Sequence, residues 1–221
     1  HMEWAIWPYP SGSPPPIDRD KTMINHTALT EVSKNRSFGG VQYVFDHASS
    51  STKTAMRFSV YLPDSAVKHG KPAPILWYLS GLTCTHENAT TKAGFQRMAS
   101  AYEMAVISPD TSPRGDSVPD KDTYSLGQGA GFYVNAAQAP WADNFQMEDY
   151  ISRELPALVA DALPVETRKQ SITGHSMGGH GALTLALKNP EHYKSVSAFS
   201  PIVAPMSVPW GQEALNLYLG S

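Results

Sequence analysis

KQSITGHSMGGHGALTLAL, Lys169 to Leu187, is the stretch whose reading decides the fold. KQSIT reads as a strand. GGHGALTLAL, from Gly178, reads as a helix that Asn189-Pro190 stops. Between them, Gly174-His175-Ser176-Met177-Gly178 sets one serine between glycines at two-residue spacing. A sharp strand-to-helix turn of this kind lifts a side chain clear of the backbone, and the glycines avoid the clashes that the bend creates. A serine hydroxyl so exposed becomes a nucleophile once a base takes its proton. Ser176 is therefore the candidate nucleophile, at a helix start whose free N–H groups favour developing negative charge. The Met177 N–H is a candidate donor to an oxyanion. The bland alternative is a small-residue turn that merely joins strand to helix.

An acyl-transfer site needs a second oxyanion donor from a separate loop. LSGLTCTHEN, at the end of the apolar run PILWYLSG, offers one. Gly81 lets backbone approach closely there, and the Leu82 N–H is the candidate donor.

Other strand-like runs are 41–45, 56–62, 104–108 and 195–199. PILWYLSG and AVISPD are almost wholly apolar, as in strands covered on both faces, whereas MRFSVYL alternates like an antiparallel or outer strand. Helix-like segments fall at 91–102, at 145–163 with Pro156 expected to kink or divide it, at 178–188 and at 213–219. Strands alternating with helices predict a mostly parallel sheet flanked by helices. Residues 110–141 form a long irregular segment, and its aromatic GFYVNA favours an ordered, functional loop.

The 221 residues carry 41% hydrophobic and 17% charged side chains and a net charge of -3, ordinary for a globular domain. Nucleic acid and anionic membranes are poor partners for that charge, and no run is long and apolar enough to span a bilayer. Cys84 is the only cysteine, so a reducing, cytosolic compartment is expected. No H-E-x-x-H, paired Cys/His or dinucleotide-binding glycine pattern occurs, so neither metal nor cofactor is expected. Residues 1–22 read as an extended, proline-rich arm with a cloning scar at His1-Met2, or as a short ordered arm packing Trp4 and Trp7 on a surface. Residues 23–221 are taken as the domain.

VSKNRSFGGVQ, LSGLTCT, SPDTSPRG, GAGFYVNA, the Pro140-Trp141 pair, GHSMGGHGAL and FSPIVAPMSVPWG together resemble the S-formylglutathione hydrolase, or esterase D, family. They run from about Leu29 to Gly220. The resemblance implies an α/β-hydrolase fold and a cytosolic serine thioesterase that splits S-formylglutathione into glutathione and formate. It further implies activity on short-chain esters, a part in formaldehyde detoxification, and homodimers. It places Ser176 as nucleophile, Leu82 and Met177 as oxyanion donors, and Cys84 and Trp141 near the active site. Cys84 is then not the nucleophile, though oxidation there would block the pocket; a small packing residue is the competing reading.

One departure stands against the family pattern. An α/β-hydrolase triad runs Ser, then Asp or Glu, then His. After Ser176 there is no aspartate; the histidines are His180 and His192, the acids Glu191 and Glu213. The resemblance places the family's Asp and His beyond residue 221, so the last strands and helices are expected to be missing. Three explanations are open: a segment absent from this sequence, a partner chain that supplies it, or a natural short form. The competing functions are a general carboxylesterase or acyltransferase, and a non-catalytic binding protein.

Overall fold

Seven strands form one sheet among the described residues, Ile24 and 27–220 of the computed structural model. The arm expected over residues 1–22 lies outside them. The strands are β1 Thr30–Ser37, β2 Gly40–Ala48, β3 Ala55–Leu62, β4 Ala73–Leu79, β5 Ala105–Pro109, β6 Val165–His175 and β7 Val196–Phe199. Their order is β1-β2-β3-β5-β4-β6-β7. β1, β2, β3 and β5 pair antiparallel in turn, and β5, β4, β6 and β7 pair parallel. The expected mostly parallel arrangement thus covers one half of the sheet, and an antiparallel meander forms the other.

The helices are α1 Asp64–His69, α2 His86–Lys92, α3 Gln96–Ala101, α4 Met147–Asp149, α5 Leu155–Ala162, α6 Met177–Lys188 and α7 Pro209–Leu219. The single helix expected at 91–102 is two short ones, α2 and α3, with Gly94 at φ 65 between them. Pro156 does not divide its helix. A π-helical turn, Tyr150–Glu154, runs straight into α5 and accommodates the proline, which lacks an N–H and crowds the carbonyl four residues back.

β5 is buried on both faces, as its apolar sequence requires. β4 is not: Ile75, Trp77 and Leu79 are fully buried, while Leu76 and Tyr78 on the other face are half-buried against Phe95 and Ala99. The two short helices on that face cover less of it than one long helix would. The larger core lies on the opposite face, where Trp77 donates to Gln170 Oε1 at 2.8 Å and Phe45, Phe58 and Tyr150 gather.

The irregular 110–141 segment is tied down at several points. Gly131 N–H donates to the Thr111 carbonyl, Gly127 N–H to Tyr218 Oη, and Tyr218 Oη in turn to the Ala130 carbonyl. Phe132 and Tyr133 are buried. Glu154 accepts from Ser49 Oγ and from the Ser50 and Ser51 N–H groups at 2.8–2.9 Å, joining the β2–β3 turn to the π-helical turn.

His47 is buried and stacked on Tyr150, with its Nε2 3.0 Å from Tyr150 Oη. Burial holds its pKa below 6.5, against the pull of Glu154. The unfolded chain protonates this imidazole near 6.5 while the folded chain resists. The stability it contributes is therefore complete above that pH and is lost as pH falls toward the folded value. Burial depresses His86 and His180 in the same sense. Thermal melts between about pH 7.5 and pH 5 should show a falling midpoint, and His47→Gln should flatten that slope.

Candidate active site

Ser176 stands between the last residue of β6 and the first of α6, with φ 57 and ψ -120. That conformation is strained for any residue with a Cβ. Its backbone is fixed on both sides. Ser176 N–H donates to the Phe199 carbonyl at 2.9 Å, and its carbonyl accepts from His180 N–H at 3.0 Å and Ile202 N–H at 3.3 Å. The side chain is half-exposed. The local geometry is that of a sharp strand-to-helix turn that presents its side chain, not of a helix that has absorbed its serine.

The glycines are there because backbone crowds them. A Cβ on Gly178 would lie 1.9 Å from the Leu79 carbonyl oxygen, and one on Gly174 would lie 2.2 Å from that of Gly178. The turn is thereby wedged against the end of β4, which pairs Leu79 with Gly174.

Beyond Leu79 the chain bends through Ser80, Gly81 and Leu82. A Cβ on Gly81 would sit 3.2 Å from Ser176 Cβ and 3.7 Å from Ser176 Oγ, so this backbone faces the serine directly. Cys84 N–H closes the bend onto the Gly81 carbonyl at 3.3 Å, and Thr83 adopts φ 66. From above α6, Tyr133 donates to the Ser80 carbonyl at 2.8 Å. Burial raises the pKa of this phenol well above its ordinary value and keeps it a neutral donor. Met177 is buried at the first position of α6, where a helix N–H has no intrahelical acceptor.

A cleft of about 440 Å³ lies beside the turn, lined by Tyr78, Ser80, Gly81, Cys84, Lys92 and His175 among others. Cys84 is half-buried in its wall. Sequence reasoning did not single out His175, although it precedes the serine and is exposed on the lip. Trp141, the last residue of the 110–141 segment, is buried edge-on against Phe145 and Tyr218.

His180 bonds the Ile202 backbone, and burial lowers its pKa. His192 lies beyond the far end of α6 beside Glu191, 3.4 Å away. Glu213 pairs with Lys121. Among the described residues no side chain, neither later histidine included, is hydrogen-bonded to Ser176 Oγ; His180 and His192 have the other partners just given.

The same elements recur in known proteins. A family model described as "Putative esterase" matches residues 49–219. An S-formylglutathione hydrolase of Paracoccus denitrificans (strain Pd 1222) is 58% identical over 193 residues, 87% of this chain and 68% of the relative. The solved structure of an S-formylglutathione hydrolase from Agrobacterium tumefaciens superposes with a TM-score of 0.84 at 52% identity, covering 86% of this chain and 69% of that one. A fluorophosphonate-binding serine hydrolase F of Staphylococcus aureus, at 21% identity and TM-score 0.61, covers 82% of this chain and 66% of its own and shares the fold.

The wedge and the facing loop respond differently to a single methyl group. Gly178→Ala forces backbone apart and should cost about 3 kcal/mol in denaturant unfolding. Gly81→Ala meets Ser176 Cβ at 3.2 Å and the His175 carbonyl oxygen at 3.3 Å, contacts that a shift of a few tenths of an ångström relieves, so its melting temperature should fall far less while reaction at Ser176 slows. Equal destabilisation by both would contradict this placement.

Proposed function

Because the chain belongs to the S-formylglutathione hydrolase family of esterases, we propose that Ser176 attacks the thioester carbonyl of S-formylglutathione. The observation that carries this reading is the strained serine at the start of α6, facing Gly81. Attack forms a tetrahedral centre, and the N–H groups of Leu82 and Met177 receive its oxyanion. Collapse of that centre breaks the C–S bond. Glutathione thiolate leaves and formyl-Ser176 remains, until water hydrolyses it to formate and frees the serine.

Cys84 lines the same cleft without serving as nucleophile, and a thiol reagent there would obstruct substrate. Trp141 acts at one remove, through the packing of the 110–141 segment. A cytosolic working form with a part in formaldehyde detoxification, as a homodimer, belongs to the same proposal; the relative's name supports the substrate, and Cys84 as the sole cysteine supports the compartment.

The proton on Ser176 sets the expected rate. With no base against the hydroxyl among the described residues, turnover should stay near the roughly 10³–10⁴-fold over water that an oxyanion hole and substrate binding supply. Ser176→Ala should leave that residual in place and abolish acylation, so that no acyl adduct forms on the peptide that carries residue 176. On p-nitrophenyl esters, acetate should react faster than octanoate, because a site for a formyl group is cramped. Faster octanoate would point to a general carboxylesterase. No acyl adduct on Ser176 in the parent chain, with substrate still bound, would point to a binding protein.

A further inference from the structure

The backbone beside the candidate oxyanion donor is strained. Thr83 is β-branched and sits at φ 66, a conformation that persists only where the surroundings over-determine it. The surroundings come from SPDTSPRG and GAGFYVNA, two motifs to which the reaction scheme gives no role. Arg114 Nη2 donates to the Cys84 carbonyl at 3.0 Å, and Thr111 Oγ1 donates to the same oxygen. Arg114 Nε lies 3.0–3.1 Å from both carboxylate oxygens of Asp110, which is itself buried and takes the Thr111 N–H. One planar guanidinium thus reaches a carboxylate on one side and the loop carbonyl on the other.

A third strand of support closes the ring. Thr83 N–H donates to the Gly129 carbonyl at 2.9 Å, and Gly129 N–H donates to Ser112 Oγ at 2.7 Å. Gly129 has φ 88, and a Cβ there would lie 3.1 Å from Thr83 Cα and 3.4 Å from Arg114 Nη2. Downstream, the Thr85–Asn88 capping box fixes the loop to the start of α2. Each peptide from Thr83 to Thr85 is therefore held by a named partner, while Gly81, just before Leu82, faces Ser176.

We infer that Arg114, oriented by Asp110, is a positioning residue: it grips the Cys84 carbonyl and so keeps the Leu82 N–H aimed at the oxyanion that forms on Ser176. The inference rests on the proposed nucleophile and oxyanion loop. It adds that catalytic power depends on a guanidinium that touches neither substrate nor serine. Lysine cannot replace it fully, because one ammonium does not span both partners in a fixed plane.

The test compares Arg114→Met, Arg114→Lys and Asp110→Asn with the parent chain. Lys53→Met, which breaks a distant exposed ion pair with Asp143, serves as control. Two readouts are taken: amide hydrogen exchange across residues 81–85 and 177–188, and kcat and KM for p-nitrophenyl acetate. Arg114→Met should speed exchange at Thr83–Thr85 and leave α6 unchanged. It should also lower kcat by on the order of 10-fold with KM within about 2-fold, the signature of an interaction made only in the transition state. Arg114→Lys should recover part of kcat, Asp110→Asn should follow Arg114→Met more weakly, and the control should match the parent. Unchanged exchange in the loop overturns the inference, and so does faster exchange with unchanged kcat. Ester hydrolysis by the parent chain with no acyl adduct on Ser176 would instead overturn the nucleophile, and exchange at 83–85 would still decide the clamp.

Discussion

One backbone turn carries the arrangement. β6 must end and α6 must begin within a single residue, and that residue is Ser176 at φ 57. The bend exists because Gly178 can lie against the Leu79 carbonyl and Gly174 against Gly178, with no side chain intervening. Parallel pairing of β4 with β6 brings those two strand ends to the same level. The loop leaving β4 consequently meets the serine leaving β6. Both candidate oxyanion donors come from this meeting, one from each strand end.

The second requirement is that the facing loop hold still. Its strain at Thr83 and its partners in the 110–115 and 127–131 segments explain why a compact domain keeps so long an irregular connection. The segment is not a flexible cover. Tyr218 on α7, Tyr133 above α6 and the Asp110–Arg114 pair pin it at separate places, each to a backbone group near the site or its supports. Preorganised donors stabilise a transient anion best when nothing must move as charge develops.

Much of this was legible in the sequence, and the parts that were not have physical reasons. Six of the strands announce themselves by apolar runs, and the serine turn by its glycines. β1 does not, because TEVSKNRS is polar and mostly exposed at the edge of the sheet, where charged side chains discourage pairing with other chains. The break between α2 and α3 hangs on one glycine within a run that reads as helical. The π-helical turn before Pro156 is a tertiary solution, set by Tyr150 and Ile151 entering the core. Arg114 reads from sequence as one more surface charge. Only the fold shows its guanidinium spanning Asp110 and Cys84, 30 residues apart in the chain from the latter. The membership of the chain in an esterase family was carried by whole phrases, which single motifs could not match in specificity.

The central claim is that Ser176 Oγ is a nucleophile presented by a strained turn beside waiting amide donors. Its most direct test is covalent: incubate the folded chain with a fluorophosphonate, digest it, and locate the adduct by peptide mass spectrometry. The account predicts one phosphonyl group on the peptide carrying Ser176, and none there in Ser176→Ala. An unmodified Ser176 in folded protein, or label spread over other hydroxyls with Ser176 spared, would contradict it.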